Sequence, residues 1–333
     1  MRSATRYKGP LRPVGLGVAL ETGTVQAGRR RIGTRGSPLA LAQAQEVRRR
    51  LSQAHGLPES EFEIVAITTS GDRIQNRPLS EVGGKGLFTK EIEEALLGGT
   101  IDLAVHSAKD MSTVLPDGLV ITTYLPREDP RDAFISARHA ALDALPRGAI
   151  VGTSSLRRQA QVLRRHPNLR VVGLRGNVET RLRKLEAGDA DATLLACAGL
   201  NRLGLQHRIT SPIAADVMLP AVAQGAITLE IRADDEATAW LLGAINHQET
   251  AICITAERAF LAKLDGSCRT PIAGLATLSN GRLRLSGEIL TPDGSQSHIS
   301  SRDALPQEAV RMAEDLAAEL LARAGPDFFR TWS

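Results

Sequence analysis

Apolar runs alternate with polar turns along the chain in a pattern that predicts strand–helix–strand units. A short apolar segment at Ile32 ends in a turn, and Ser37 followed by Pro38 is typical of a helix N-cap and first helical position. The buried stripe of that helix has helical spacing and consists of Ala40, Ala44, Val47 and Leu51. A strand is predicted at 62–69. This order favours parallel pairing, in which functional residues gather at the carboxyl ends of strands.

The alternation continues through most of the chain and then changes. Further strands are predicted at 101–105, 119–124, 149–152, 169–173, 191–196 and 227–231. Helices are predicted between them, including 88–97 and one that begins after the capping residues 153–155. Beyond these lie a helix at 250–263, strands at 272–278, 283–290 and 297–300, and a last helix at 306–324. The pattern predicts α/β units followed by a smaller α+β domain.

Two segments, 126–132 and 219–226, are charged or proline-bounded and are predicted to cross between two α/β lobes. The first lobe is expected to comprise 29–125 with 226–244, because the strand at 227–231 returns to the first sheet. The second lobe comprises 126–225, and the α+β domain comprises 245–333. Two lobes joined by two crossings are typical of a hinged protein that binds a ligand in a cleft.

Residues 1–28 are predicted to be a disordered leader. They carry several basic residues and one acid, Glu21, while Pro10, Pro13 and scattered glycines interrupt any amphipathic helix. A basic, acid-poor N-terminus is also compatible with an organelle transit peptide, such as one for a plastid. The expected location is therefore cytoplasmic, with an organelle as the alternative.

Composition narrows the class of protein. The 333 residues are 42% hydrophobic, but no apolar run approaches the length of a membrane-spanning helix. Three cysteines without a Cys-x-x-Cys pair argue against a disulfide scaffold or a zinc ribbon. Although the net charge is +4, an aromatic content of 3% argues against nucleic-acid binding by base stacking. No metal site is predicted.

The segment 70–86 is long, polar and rich in glycine. Its Gly-Gly-Lys-Gly run at 83–86 has the wrong spacing for a nucleotide phosphate loop, and no Lys-Ser/Thr pair opens the next helix. Loops of this length without their own structure are usually lids or disordered. The sequence therefore predicts a mobile lid.

Candidate chemistry lies at the ends of predicted strands. His106, Lys109 and Asp110 follow the strand 101–105, which indicates either a site or a charged surface turn. Arg35 follows the first strand beside free helix N–H groups, where either an anion or solvent is its expected partner. Five more arginines occupy equivalent strand ends: Arg157, Arg158, Arg175, Arg181 and Arg202. Because arginine binds carboxylates as a bidentate fork, they predict a cleft for a polyanion; a solvated basic face is the alternative.

Cys268 is predicted to lie on an ordered loop between a helix end at Gly266 and Pro271. The neighbouring Arg269 favours a thiolate, so Cys268 is either a reactive thiol or an inert small apolar residue. Cys197 is expected in an apolar strand and Cys253 on an apolar helix face. Both are interpreted as core residues.

Eight ordered motifs resemble the porphobilinogen deaminase (hydroxymethylbilane synthase) family. They span 34–40, 83–88, 106–110, 127–134, 152–158, 174–178, 219–226 and 266–268. Together they cover the chain from about residue 30 to the C-terminus. The resemblance implies two α/β lobes like type II periplasmic binding proteins, a central cleft and a small α+β C-terminal domain. It also implies a monomeric transferase that takes the small molecule porphobilinogen and has no nucleic-acid or membrane partner.

The resemblance further implies a dipyrromethane cofactor joined to Cys268 by a thioether. Asp110, with Lys109 beside it, falls on the catalytic positions. The other cofactor contacts fall on Ser155, Arg157, Arg158 and Arg175. The substrate contacts fall on Arg35, Ser37, Phe88, Arg175, Arg181 and Arg202.

The implied reaction joins four porphobilinogen molecules head to tail, releasing ammonia each time, before water frees hydroxymethylbilane. Each pyrrole carries two carboxylates, which accords with an arginine cleft, and loss of ammonia leaves a cation that a carboxylate can stabilise. A non-catalytic anion-binding protein would also explain the arginines, but not Cys268 or a third domain. Three features depart from the family pattern: the leader, Ser112 where proline is frequent, and Ala223 where glycine is frequent.

Overall fold

The computed structural model describes residues 29–73, 87–264, 270–325 and 328–329. The predicted leader and residues 74–86 of the predicted lid lie outside these ranges. In chain order, the first elements are β1 (Arg30–Arg35), α1 (Pro38–His55), β2 (Phe62–Ile67), α2 (Ser70–Arg73), α3 (Lys90–Leu97), β3 (Leu103–Ser107) and β4 (Leu119–Tyr124). The next are β5 (Asp132–Ile135), β6 (Ile150–Gly152), α4 (Leu156–Arg165), β7 (Arg170–Val172), α5 (Val178–Glu186), β8 (Ala192–Ala196), α6 (Cys197–Arg202) and β9 (Ser211–Pro212).

The remaining elements complete the first sheet and form the C-terminal domain. They are β10 (Ile227–Arg232), α7 (Glu236–Gly243), α8 (Gln248–Lys263), β11 (Ile272–Ser279), β12 (Arg282–Leu290), β13 (Ser297–Ala304) and α9 (Ala309–Ala324). The third sheet has the order β11-β12-β13 and is antiparallel throughout. Helices α8 and α9 share a core with it, in which Phe260 is fully buried.

Two five-stranded mixed sheets form the two lobes. The first has the order β2-β1-β3-β10-β4, and β1 pairs in parallel with both β2 and β3. Strand β10 lies antiparallel between β3 and β4, so the chain returns to the first sheet as predicted. The second sheet has the order β7-β6-β8-β5-β9, with β6 parallel to β7 and β8. The carboxyl ends of the parallel strands therefore share one edge in each lobe.

Helix α1 shows how the sequence positions the first lobe. The Ser37 hydroxyl accepts a hydrogen bond from the Ala40 N–H at 3.4 Å, and Pro38 occupies the first turn. Gly56 ends the helix in the left-handed region at φ 63°, where glycine has no side chain to strain. The predicted stripe of Ala40, Ala44, Val47 and Leu51 is buried. The helix prediction is confirmed.

Two predictions of local structure are corrected, and one strand was not predicted. Cys197 begins α6 instead of lying in a strand, because β8 ends at Ala196. Helix α3 begins at Lys90, so Phe88 lies in the preceding turn. The unpredicted strand is β5, whose first residue, Asp132, is the last residue of the predicted charged crossing.

A buried carboxylate joins both crossings to the C-terminal domain. Glu257 of α8 is fully buried and accepts two hydrogen bonds from the Arg127 guanidinium, at 2.5 and 3.1 Å. It also accepts from the backbone N–H groups of Ala223, at 2.6 Å, and Ala276, at 2.7 Å. Ala223 has a left-handed φ of 62°, a conformation that residues with a side chain rarely adopt. Glu257 stabilises that conformation at the second crossing.

We expect Arg127→Met to lower the free energy of unfolding by about 3 kcal/mol, because it leaves the Glu257 carboxylate buried without its cation. Denaturant unfolding measures this loss. The matched control is Arg131→Met, since the Arg131 side chain is 43% exposed beside Asp129 and an exposed pair contributes at most about 1 kcal/mol. Equal small losses for both variants would contradict the assignment of Glu257 as the junction.

Candidate active site

Side chains at the ends of β1 and β3 surround a small cavity in the first lobe. Its lining includes Arg35, Ser37, Phe88, Ser107 and Asp110. Asp110 ends a single helical turn, Ala108–Asp110, that directly follows β3. Four residues named from the sequence therefore line one cavity: Arg35, Ser37, Phe88 and Asp110.

Arg35, which lines this cavity, already has a carboxylate partner, Asp72. Its guanidinium forms an ion pair with Asp72 and lies 4.2 Å from the centroid of the Phe88 ring. Burial raises the pKa of Asp72, but hydrogen bonds from Arg35 and Thr69 outweigh it and hold that pKa below its ordinary value. The first-lobe cation is thus oriented by an acid on one side and an aromatic face on the other.

His106 and Ser107 do not form a catalytic pair. The His106 Nε2 atom lies 3.1 Å from the Glu230 carboxylate, and both side chains are buried. The Ser107 hydroxyl accepts instead from the Gln43 side-chain amide at 2.9 Å. These contacts agree with the expectation that the motif is not a serine–histidine–aspartate triad.

Lys109 points toward the second crossing. Its ammonium donates to the Gln224 side-chain oxygen at 3.4 Å. Burial lowers the pKa of Lys109 to about 8, and this shift is opposed by the negative charge of Asp110. The charges of Arg158, Asp132 and Arg157 have smaller effects on this pKa. Because these three residues belong to the second lobe, Lys109 of the first lobe is influenced by charges of the second.

Arg157 and Arg158 lie in the first turn of α4, where Ser155 is the N-cap and accepts from the Arg158 N–H at 3.4 Å. Both arginines are buried, and both contact the carboxylate of Asp132. The Arg157–Asp132 distance is 2.7 Å and the Arg158–Asp132 distance is 2.8 Å. The sequence predicts that both arginines face the cleft, but it did not predict their contact with the Asp132 carboxylate. A direct contact of either arginine with a cofactor stays a prediction.

Arg181 and Arg175 bring further positive charge to the same region. The Arg181 Nε donates to the Gly176 carbonyl at 2.8 Å. Burial first, and then the charges of Arg158 and Arg175, lower the pKa of Arg181 to about 10, while Asp110 opposes the shift. Charges from the second lobe and Asp110 of the first lobe therefore act on one another across the cleft.

Arg202 has a different position from the other arginines. It donates to the Gly225 carbonyl at 2.9 Å and lies 3.5 Å from the Glu46 carboxylate on α1. Because α6 and α1 belong to different lobes, this side chain links the lobes. A substrate contact for Arg202 stays a prediction.

The predicted anchor, Cys268, lies outside the described residues. Cys197 and Cys253 are both buried. Burial raises the pKa of Cys197 to about 12 and that of Cys253 to about 11. Neither thiol is therefore ionised near neutral pH, which disfavours both as nucleophiles.

Sequence reasoning missed Asp132 and Gln224, which connect the cationic residues. Asp132 is preceded in sequence by other charges and was interpreted only as part of a crossing. Gln224 lies in the second crossing among apolar and glycine residues. The signal that could have identified Asp132 is the short apolar run Ala-Phe-Ile that follows it, which indicates a buried strand.

The fold and the site define a two-lobed α/β protein with several cationic side chains between its lobes. The chain belongs to the porphobilinogen deaminase family. Residues 30–239 match its dipyrromethane cofactor binding domain, and residues 251–322 match its C-terminal domain. The expected family, fold class and cofactor are thereby confirmed, and the clustered cations fit a group that bears several carboxylates.

Two bacterial relatives agree with this assignment. A porphobilinogen deaminase of Paracoccus denitrificans is 61% identical over 303 residues, which cover 91% of this chain and 96% of the relative. One from Nitrobacter hamburgensis is 59% identical over 298 residues, which cover 90% of this chain and 94% of the relative.

Among solved structures, the periplasmic VFT2 domain of Bordetella pertussis BvgS is 17% identical, with a TM-score of 0.40 over 68% of this chain and 92% of that domain. The methionine binding protein MetQ is 15% identical, with a TM-score of 0.41 over 70% of this chain and 94% of MetQ. Within the described residues, no helix combines the length and apolar character that crossing a bilayer requires.

Proposed function

We propose that this chain is a transferase that condenses four porphobilinogen molecules head to tail into hydroxymethylbilane and releases four ammonia molecules. The observation that carries the proposal is the cationic group between the lobes, in which Arg157 and Arg158 are joined through Asp132 and Gln224 to Lys109, the neighbour of Asp110. A cleft that places the Asp110 carboxylate beside several cations suits a substrate whose substituents are anionic and whose reacting centre becomes cationic.

The cations of both lobes would bind the acetate and propionate groups of the pyrroles. Arg35 and Ser37 would act from the first lobe, with Phe88 packing against a ring. Arg175 and Arg181 would act from the second lobe, and Arg202 would join them if its contact with Glu46 opens. Bidentate pairing with carboxylates explains why arginine dominates this set.

The dipyrromethane, bound through Cys268, would supply the pyrrole carbon from which the chain grows. Ser155, Arg157, Arg158 and Arg175 would hold its carboxylates. Asp110 would accept a hydrogen bond from a pyrrole N–H and stabilise the cation that loss of ammonia creates. Lys109, whose pKa is about 8, is mostly protonated at neutral pH and could donate a proton to the departing amine.

We expect Arg158→Leu to impair cofactor assembly and leave the fraction of cofactor-bearing protein below about a tenth. Removing one partner of a buried charge pair costs roughly 2–5 kcal/mol and would disorder the cofactor subsite. An acidic aldehyde reagent that colours pyrroles measures the bound fraction on folded protein. Arg165→Leu, at the exposed end of the same helix, is the control and should retain full colour. Full colour and normal turnover in both Arg157→Leu and Arg158→Leu would contradict the cleft assignment.

The proposed function is tested by incubating purified protein with porphobilinogen. The expected result is ammonia and hydroxymethylbilane in a ratio of four to one. Binding of porphobilinogen without release of ammonia would indicate a non-catalytic anion-binding protein and would overturn the proposal.

A further inference from the structure

Asp132 is the centre of a hydrogen-bonded group that lies between the two lobes. The side chain is fully buried at the start of β5. One carboxylate oxygen accepts from Arg158 Nη2 at 2.8 Å, from Arg158 Nε at 3.1 Å and from the Gln224 side-chain amide at 2.9 Å. The other accepts from Arg157 Nη1 at 2.7 Å. These contacts occupy both oxygens, so Asp132 itself has little capacity left for a ligand.

Gln224 extends this group from the second lobe to the first. Its amide nitrogen donates to Asp132 and, at 2.8 Å, to the Pro130 carbonyl. Its amide oxygen accepts from the Lys109 ammonium at 3.4 Å. Gln224 is itself buried, and it lies in the second crossing. A continuous path of hydrogen bonds thus runs from the arginine pair to the lysine beside Asp110.

We propose that Asp132 is a positioning residue for the condensation reaction. It holds Arg157 and Arg158 in place, and through Gln224 it orients the Lys109 side chain and stabilises its ammonium form. The inference rests on the proposed function, because it assigns Asp132 to the same cleft. Asp132 acts through these neighbours, because both of its carboxylate oxygens are hydrogen-bonded to them.

The charge balance explains why a carboxylate is required at this position. Arg157 and Arg158 are adjacent buried cations, and Lys109 faces Asp110, Asp132 and both arginines. Asp132 is the acid that contacts both guanidinium groups. Without its charge, the arginines would repel each other and would favour the neutral form of Lys109. Asp132 would therefore influence cofactor binding and proton transfer together.

The test measures the protonation of Lys109 without turnover. Full-length protein is labelled with trace acetic anhydride over a range of pH, and acetylation of Lys109 is followed by peptide mapping. Every protein carries Cys268→Ser, so that cofactor content is equal. With Asp132 intact, the labelling midpoint is expected near pH 8. Asp132→Asn should lower the labelling midpoint by about one pH unit, because the negative charge of Asp132, separated from Lys109 by the Gln224 amide, stabilises the ammonium form by about that amount.

Asp129→Asn is the matched control, since Asp129 lies three residues away and pairs with the partly exposed Arg131. Its midpoint should equal that of the parent protein. A folded Asp132→Asn protein whose midpoint also equals the parent's would overturn the proposal.

Gln224→Met decides the question if Asp132→Asn does not fold. It removes the hydrogen-bonded link while leaving both Arg–Asp132 pairs intact, and its midpoint should fall by about half a unit. An unchanged midpoint in folded Gln224→Met would overturn the proposal. Because labelling needs no substrate, a chain that fails to consume porphobilinogen would refute the proposed function without altering this result.

Discussion

Turnover by Asp110→Asn is expected to fall at least about a hundredfold, while the protein folds and still binds porphobilinogen. Asp110 lines the first-lobe cavity directly after β3, and its charge acts on Lys109 and Arg181. An amide keeps the size of the side chain but cannot stabilise a cationic pyrrole. Loss of one preorganised electrostatic group has an effect of this order.

The measurement requires protein that already carries the cofactor. Asp110→Asn is therefore loaded with ready-made hydroxymethylbilane, and ammonia and product are followed together. Asp117→Asn is the control, because Asp117 is exposed in the loop before β4 and should keep normal turnover. A folded, loaded Asp110→Asn protein within a few-fold of the parent would show that Asp110 is structural.

Cys268→Ser is expected to lack the cofactor and to have no measurable turnover. A serine hydroxyl is a far weaker nucleophile than a thiolate, so the carbon–sulfur anchor cannot form. The other cysteines cannot replace it, because burial raises the pKa of Cys197 to about 12 and that of Cys253 to about 11. Pyrrole colour on the polypeptide and release of ammonia are measured on the same samples.

Cys197→Ala and Cys253→Ala are the matched controls, and both should keep cofactor and activity. Each removes a buried thiol, so a loss of stability is expected but not a loss of pyrrole colour. Retained colour in Cys268→Ser would move the anchor to another residue.

The sequence predicts the fold where periodicity and capping agree. Helix α1 is an example, since its N-cap, its buried stripe and its C-terminal glycine all fit one local structure. The return of β10 to the first sheet was also predictable, because an apolar strand follows the second crossing. Strand β5 was not, because its first residue is a charge that only tertiary pairing can bury.

The same limit applies to the site. Strand ends identified Arg35, Lys109 and Asp110, since parallel strands bring their carboxyl ends together. Pairing between distant side chains has no periodic signal, so the contacts of Asp132 and Gln224 emerged only from the folded chain. The contact of Arg202 with Glu46 of α1 is a further example, because the strand-end position of Arg202 predicted a shared cleft but gave no signal for this pairing between lobes.

Intact-mass analysis of the purified protein, followed by peptide mapping, tests whether Cys268 carries a dipyrromethane. We expect the polypeptide to be heavier than its sequence by two linked pyrrole units and the adduct to map to the peptide containing Cys268. An unmodified polypeptide with full turnover, or an adduct on Cys197 or Cys253, would contradict it.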